Sequence, residues 1–384
     1  MLSLALLFSD LLARIHPLSI VPALMGMAAI GAWPWRYPSL QVAVGLCLAL
    51  AVLGDGVSLT LLPRKGRSYG PVTPPLLALA FLRMALAFGL GILSPTLPMA
   101  IGTALLQISL TAVQVYATWV EPFRLTVTPL EIPSPKLQSG EPLRILHLSD
   151  IHFEGWTPRE HHLLETARAL SPDLIFLTGD YLNLSSVDND TAREGARDLL
   201  TQLASIAPTY AVIGSPPVDR PDIVPAIFAG LPIAWLIDEI ADVEIKGHHL
   251  RLIGVRCTAD HRRDGERLRR LWDETKSGEG LAFRILLYHS PDLFPLAAEL
   301  GIDLHLAGHT HGGQLRLPLF GAIFTSSAFW KRYEAGLYKG GESILYVSRG
   351  IGVEGKGAPR ARFLAPPEIV LVTLRTEKQN PVVV

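Results

Sequence analysis

The sequence predicts an α/β domain carried behind an all-α membrane-spanning bundle. Three observations point there. The first 120 residues hold several long apolar runs with almost no charge. From residue 143 onward, short apolar runs of strand length alternate with stretches of helical spacing. A set of Asp and His residues falls just after those short runs, where open α/β sheets place their ligand sites.

Composition narrows the classes. The chain has 384 residues, enough for one to three domains. Its mean hydropathy is +0.32, high for a soluble protein, and the excess comes from the first 120 residues. Residues 1–140 carry 8 Lys/Arg and 4 Asp/Glu, leaving 26 and 31 for the rest. Neither balance suits nucleic acid, and no nucleic-acid partner is expected. Cys47 and Cys257 lie in different regions and read as free thiols.

Residues 1–120 read as a bundle of about four spans. Leu18 to Trp35 is the weakest, broken by Pro22. Ser39 to Leu62 is interrupted only by Gln41 and Asp55, and Pro75 to Leu93 carries one Arg83. Leu97 to Val120 is the last. Each approaches the roughly 20 residues that cross a bilayer. Leu2 to Ile15 is shorter and lacks a basic start, so it is expected in the interface or extending the first span, uncleaved. Arg64, Lys65 and Arg67 place the loop between the second and third spans, and with it everything after Val120, on the cytoplasmic side. The expected location is therefore the inner or plasma membrane, multi-pass, with the C-terminal domain in the cytoplasm. Asp55 and Arg83 fall at similar depth on neighbouring spans, roughly 12 Å in at 1.5 Å per residue. A charge there needs a partner, and the two are expected to pair as a staple.

Residues 121–142 contain Pro122, Pro129, Pro133, Pro135 and Pro142 and read as a stiff, extended linker. Arg144 to Ser149 then reads as a strand running into Asp150-Ile151-His152. Thr157 to Leu170 has an N-cap Thr, a Pro at the first helical position and helical apolar spacing. Leu174 to Thr178 is the next buried strand, ending in Gly179-Asp180 and completing a βαβ unit. Ala192 to Ile206 reads as a helix, and Tyr210 to Ile213 as a strand ending at Gly214. Val243 to Ile245 and Leu250 to Val255 read as a hairpin. Phe283 to Tyr288 leads to His289, and Asp303 to Ala307 leads to Gly308-His309-Thr310-His311-Gly312-Gly313-Gln314. Ile344 to Ser348 and Ile369 to Leu374 close the sheet system. The expected domains are 1–120, the linker 121–142, 143–376 and a tail, 377–384.

Asp150, His152, Asp180, His289, His309 and His311 all fall at C-terminal strand ends. His is the commonest metal ligand. His309 and His311 stand two apart between glycines, which let the backbone turn tightly around a small ion. Mixed carboxylate and imidazole donors suit Mn, Fe or Zn, not a structural thiolate site. Six ligands exceed what one tetrahedral ion uses and suit two ions sharing a carboxylate. Such a pair, about 3.5–4 Å apart, activates a water and clamps both oxygens of an in-line displacement at phosphorus. No G-x-S-x-G elbow or Walker loop is present. His147, His161, His162, His248, His249, His261 and His305 lack the strand-end placement and read as core or surface residues.

Asp150-x-His152, Gly179-Asp180, His289 and Gly308-His309-x-His311 resemble the calcineurin-like metallophosphoesterases, over about residues 143–376. Tyr346-Val347-Ser348-Arg349-Gly350-Ile351-Gly352 and Pro367-Glu368-Ile369 are similar to the membrane-associated branch of that family. The resemblance implies a two-sheet sandwich flanked by helices. It implies a first metal on Asp150, His152, Asp180 and His311 and a second on Asp180, His289 and His309. Asp180, His289 and His309 would then serve catalysis through a metal-bound hydroxide. The implied activity is hydrolysis of a phosphodiester, pyrophosphate or phosphomonoester at the membrane. A lipid-linked substrate of the UDP-diacylglucosamine kind is the specific candidate.

One block departs from the family pattern. The family places Gly-Asn-His-Asp or Glu after its third strand, and here Gly214 is followed by Ser215-Pro216-Pro217-Val218-Asp219. Ser215 stands where the Asn ligand belongs and is a poorer donor, so the second metal is expected to be weaker. Pro216 stands where the family has the histidine that stabilises phosphate or protonates the leaving group, and proline does neither. Losing such an acid lowers rates by about 10²–10⁴-fold, which favours substrates with good leaving groups. Asp219 is a candidate substitute ligand, and Arg349 and Gln314 are candidate phosphate contacts or loop braces. The alternative reading is a non-catalytic metal- or phosphate-binding module serving the bundle.

Overall fold

The computed structural model describes residues 11–137, 141–275, 282–354 and 360–377. Most of Leu2 to Ile15, and all but the first residue of the expected tail 377–384, lie outside the described residues. Contacts divide the chain into Met1–Glu121 with Glu354–Phe363, and Pro122–Val353 with Leu364–Val384.

In the first unit, helices span Val21–Ala32, Pro38–Arg64, Thr73–Leu93 and Leu97–Val115. The last continues through a wider turn at Tyr116–Val120 and a tight one at Glu121–Phe123. Among the described residues, three helices are long and apolar enough to cross a bilayer: Pro38–Arg64, Thr73–Leu93 and the composite Leu97–Phe123. The first expected span falls short, because its α-helical part is the 12 residues Val21–Ala32. With the preceding 3-10 turn, the apolar helix Pro17–Ala32 is about 26 Å long, against a hydrocarbon core of about 30 Å. Pro22 explains the difference, since proline suits a first turn but not a helix interior. The long helices turn apolar surface outward: Leu50 is 67% exposed, Phe81 58% and Leu105 60%. Apolar surface of that extent suits lipid, not water.

The inward faces carry the expected pair. Arg83 donates through Nε to Asp55 Oδ2 and through Nη2 to Asp55 Oδ1, both at 2.8 Å. Its other N–H groups reach Gln107 O at 2.9 Å, Gln107 Oε1 at 3.0 Å and Thr111 Oγ1 at 2.8 Å. All five guanidinium donors are satisfied. Late in the chain, Arg360 Nη2 donates to Ser68 Oγ at 3.0 Å and Arg362 N to Ala117 O at 2.9 Å, which is why residues 360–363 belong to this unit.

The second unit contains β1 Thr126–Ser134, β2 Leu143–Leu148, β3 Leu174–Leu177, β4 Thr209–Ala211, β5 Ile233–Trp235, β6 Glu239–Ile245 and β7 His248–Gly254. These are followed by β8 Phe283–Leu287, β9 Leu304–Ala307, β10 Arg316–Leu317, β11 Gly321–Ala322, β12 Gly336–Gly340, β13 Ser343–Val347 and β14 Glu368–Thr376. Two mixed sheets form, in the orders β1-β14-β2-β3-β4-β5 and β12-β13-β9-β8-β7-β6, with β10 and β11 as a separate hairpin. The period of two along each strand decides the layers. Ile145, Leu174, Phe176 and Val372 of the first sheet share a core with Leu252, Ile285, Leu304 and Leu306 of the second. One step along, Leu146, Leu148, Ile175 and Leu177 face the helices Pro158–Leu170, Asp190–Ala204 and Val224–Phe228. Ile253, Leu286 and Leu345 face His261–Thr275 and Phe294–Leu300 in the same way. The result is the expected helix–sheet–sheet–helix sandwich.

Much of the segment read as a linker, 121–142, is built into the sandwich instead. β1 runs parallel to β14 over Thr126–Ser134, at the edge of its sheet. Thr126 N donates to Pro367 O, so even-numbered amides of β1 face β14 and odd-numbered ones face outward. Pro129 and Pro133 take odd positions, where a missing N–H breaks no ladder bond. Leu130 and Ile132 turn into the core.

Candidate metal centre

At the ends of β2, β3 and β9 the backbone turns in an unusual way. Asp150, His152, Asp180, His309 and His311 all have positive φ, between 44° and 70°. Asp and His tolerate this region better than most side chains, yet each such residue stores about 1–3 kcal/mol. Neighbours hold the strain. Asp150 N bonds Gly179 O and His152 N bonds Asp180 O, both at 3.0 Å, and Gly308 N bonds His289 O at 2.8 Å. A Cβ at Gly308 would lie 2.0 Å from Ser149 Oγ and 2.1 Å from Asp150 Oδ2, so only glycine lets β9 pass the end of β2.

The six residues singled out by sequence come together in two groups. Asp150, His152 and His311 form one and Asp180, His289 and His309 the other, each with its ligand atoms within 4.8 Å of one another. His152 Nε2 is 3.0 Å from His311 Nε2, which is 3.4 Å from Asp150 Oδ1. His289 Nε2 is 3.1 Å from His309 Nδ1 and 3.3 Å from Asp180 Oδ2. Asp180 Oδ2 is also 3.6 Å from His152 Nε2, so one oxygen faces both groups. His289 Nδ1 lies 2.7 Å from Thr178 O, and His152 Nδ1 3.2 Å from Leu182 O. A carbonyl only accepts, so Nδ1 carries the proton and Nε2 turns its lone pair toward the group. Lone pairs aimed at one another and at carboxylates make a poor hydrogen-bond network and a good donor set for divalent cations. The residues present fit one ion in each group.

The electrostatics agree. Burial raises the Asp150 carboxyl to about 6, with His289 opposing and Asp180 adding to the rise. Burial would raise Asp180 as well, but the neighbouring His289 holds it below the usual carboxylate range. His289, which burial alone would lower, is lifted well above an ordinary imidazole by Asp180. Burial, and then His289, take His309 down to about 4. Acids and imidazoles packed this tightly constrain one another's charge, and cations between them would relieve the conflict.

The departing block after β4 divides in two. Ser215 Oγ lies 3.2 Å from Asp180 Oδ2, 3.1 Å from His289 Nε2 and 3.3 Å from His309 Nδ1, so this hydroxyl joins the second group. Asp219 does not, which corrects the expectation that it could substitute as a ligand. Its Oδ2 accepts from Asp180 N at 2.8 Å and Gly214 N at 2.7 Å, and its Oδ1 from Tyr181 N at 3.0 Å. Burial, and then Asp180, raise this carboxyl to about 7. Asp219 is a brace under the Asp180 turn. Asp219→Ala would leave three buried amides without acceptors, at about 1–3 kcal/mol each. The expected result is a protein destabilised by roughly 3 kcal/mol or more that also binds metal less tightly, read by thermal unfolding and metal titration.

Arg349 also turns to structural work. Its Nε donates to Pro366 O at 3.0 Å and its Nη2 to Thr126 Oγ1 at 3.2 Å, with Glu368 at 3.3 Å. Gln314 is buried beside the ligand loop. His147 and His305 are core residues, and burial takes both to about 3. Sequence reasoning missed the Asp219 brace and the roles of Gly308 and the Thr178 carbonyl; no spacing rule marks any of them.

A sequence model of the calcineurin-like phosphoesterase family matches residues 143–313. The chain is 33% identical over 228 residues to phosphodiesterase YaeI of Escherichia coli K12, covering 56% of this chain and 77% of that protein. It is 29% identical over 276 residues to the uncharacterized metallophosphoesterase YkuE of Bacillus subtilis 168, covering 68% and 89%. It is 25% identical over 316 residues to UDP-2,3-diacylglucosamine pyrophosphatase LpxG of Chlamydia trachomatis serovar D, covering 67% and 92%.

Proposed function

The chain belongs to the calcineurin-like phosphoesterases and is a hydrolase of that family, and we propose that it is a membrane-anchored, metal-dependent enzyme cleaving a lipid-linked pyrophosphate or phosphodiester. The observation that carries this reading is the pair of buried Asp–His groups facing the single oxygen Asp180 Oδ2. In this reading Asp150, His152, Asp180 and His311 hold a first divalent ion (Mn, Fe or Zn). Asp180, His289 and His309, with the Ser215 hydroxyl, hold a second, weaker one. When bound, such ions act as Lewis acids, activating water and neutralising charge on phosphoryl oxygens.

The chain's own residues do the rest. Asp180 sets the spacing of the two groups, and Asp219 fixes its backbone. Thr178 O and Leu182 O hold His289 and His152 in the tautomer that binds. In the hydrolysis, a water oxygen bonds to phosphorus and releases a proton to solvent, and the bond from phosphorus to the leaving oxygen breaks, its electron pair staying on that oxygen. Pro216 offers no proton there. A phosphate tolerates leaving unprotonated and an alkoxide does not, so a pyrophosphate suits this site better than an alkyl diester. The name of the relative LpxG, a pyrophosphatase of a diacylated sugar nucleotide, supports the same class. The apolar helices support a bilayer anchor, and Arg64, Lys65 and Arg67 support a cytoplasmic domain.

The leaving-group argument has a direct test. Pro216→His is expected to raise the rate on an alkyl phosphodiester by about 10²-fold or more and to change pyrophosphate cleavage little. Steady-state rates of the full chain on both substrate types decide it. Equal effects on the two would remove the case for a pyrophosphate.

A further inference from the structure

The hairpin of β10 and β11, with the turn that follows, carries an apolar face that the fold leaves uncovered. Among the described residues of the second unit, ten large apolar side chains are exposed, and seven of them lie between Leu317 and Trp330. Leu319 is 110% exposed, Phe320 and Phe324 57% each, and Trp330 50%. Single exposed apolar residues are ordinary, but a contiguous patch marks an interaction surface.

The patch is built, not frayed. Ala322 N and Arg316 Nη2 both donate to the Glu334 carboxylate, at 3.1 and 2.9 Å. Ile323 N bonds Leu315 O at 3.1 Å. The Phe324 and Trp330 rings meet edge to face at 5.5 Å, and Lys331 Nζ lies 3.6 Å from the centre of the Phe320 ring. Ser326 Oγ donates to His309 O at 2.7 Å, which ties the patch to the loop carrying two of the candidate ligands.

We propose that this hairpin inserts into the interfacial region of an anionic lipid bilayer, as a second membrane contact besides the apolar helices. The inference rests on the membrane-anchored reading above. Three observations choose lipid as the occupant. The tip is aromatic and aliphatic, the composition that settles at the boundary of headgroups and acyl chains. Lys331 and Arg332 flank it, and cations there complement anionic headgroups. β1 begins at Thr126, three residues after the apolar helix Leu97–Phe123 ends. That is roughly 10 Å of chain, a short covalent tether between the apolar helix and the strand.

The test uses the full chain with Cys47 and Cys257 replaced by alanine and a single environment-sensitive nitrobenzoxadiazole label at Leu319→Cys. The protein is placed in nanodiscs of phosphatidylcholine and phosphatidylglycerol. The expected result is a blue-shifted label, protected from aqueous iodide and quenched by lipids spin-labelled near the glycerol. The same label at Glu194→Cys, exposed on the helix Asp190–Ala204, should stay open to iodide. A Leu319 label as open to iodide as the Glu194 label would overturn the proposal. So would protection that appears only when two copies share a disc and cross-link through residue 319, which would assign the patch to a second copy. Hydrolysis plays no part in this readout, so the outcome stands whatever the substrate is. A chain that does not enter nanodiscs at all would instead overturn the anchor.

Discussion

Asp180→Ala is expected to empty both metal groups at once and to abolish hydrolysis. Asp180 Oδ2 lies 3.3 Å from His289 Nε2 in one group and 3.6 Å from His152 Nε2 in the other. Of the six residues singled out by sequence, Asp180 is the one whose side chain lies against both groups. Stabilisation of transition-state charge by bound metals amounts to several kcal/mol, so the loss should be about 10³-fold or more. Ser215→Ala makes the contrast, since its hydroxyl touches only the second group. It should weaken one ion and leave the other. Metal content of the purified variants, measured beside turnover, separates the two patterns. An Asp180→Ala protein that keeps both ions would show that the shared carboxylate is not needed.

Arg83→Leu should be the most destabilising substitution in the helical unit. It leaves Asp55 as a buried carboxylate with no cation, and strips Gln107 and Thr111 of their donor. Breaking a buried ion pair from one side typically costs about 3–5 kcal/mol. The double variant Asp55→Leu/Arg83→Leu should recover most of that, because it removes both charges together. Thermal unfolding of the detergent-solubilised chain measures both. A single variant as stable as the parent would dismiss the staple. A double variant that stays stable but loses activity would give the pair a functional role.

The candidate site was largely legible in the sequence, because its chemistry follows strand ends. Each of Asp150, His152, Asp180, His289, His309 and His311 stands at or just beyond the end of a buried run, and the structure draws them into two groups. What the sequence hid is backbone geometry. Nothing in the residue types announces positive φ at Asp150 or His152, or the contact that makes Gly308 obligatory. Asp219 was visible as a nearby carboxylate, but its three amide partners come from two separate turns that only the fold brings together. β1 was hidden by composition. Pro129 and Pro133 look like strand breakers until the register puts both on the outer edge. The first expected span is the shorter apolar helix Pro17–Ala32, and apolar length alone does not reveal that its α-helical part begins at Val21.

The most direct measurement is bound metal per chain against hydrolysis of bis-p-nitrophenyl phosphate, as Mn is added to the full-length protein stripped by chelator. The geometry predicts that activity follows occupancy up to two ions per chain, the second binding more weakly than the first. Activity that saturates at a single ion, or that persists in excess chelator, would contradict a binuclear centre.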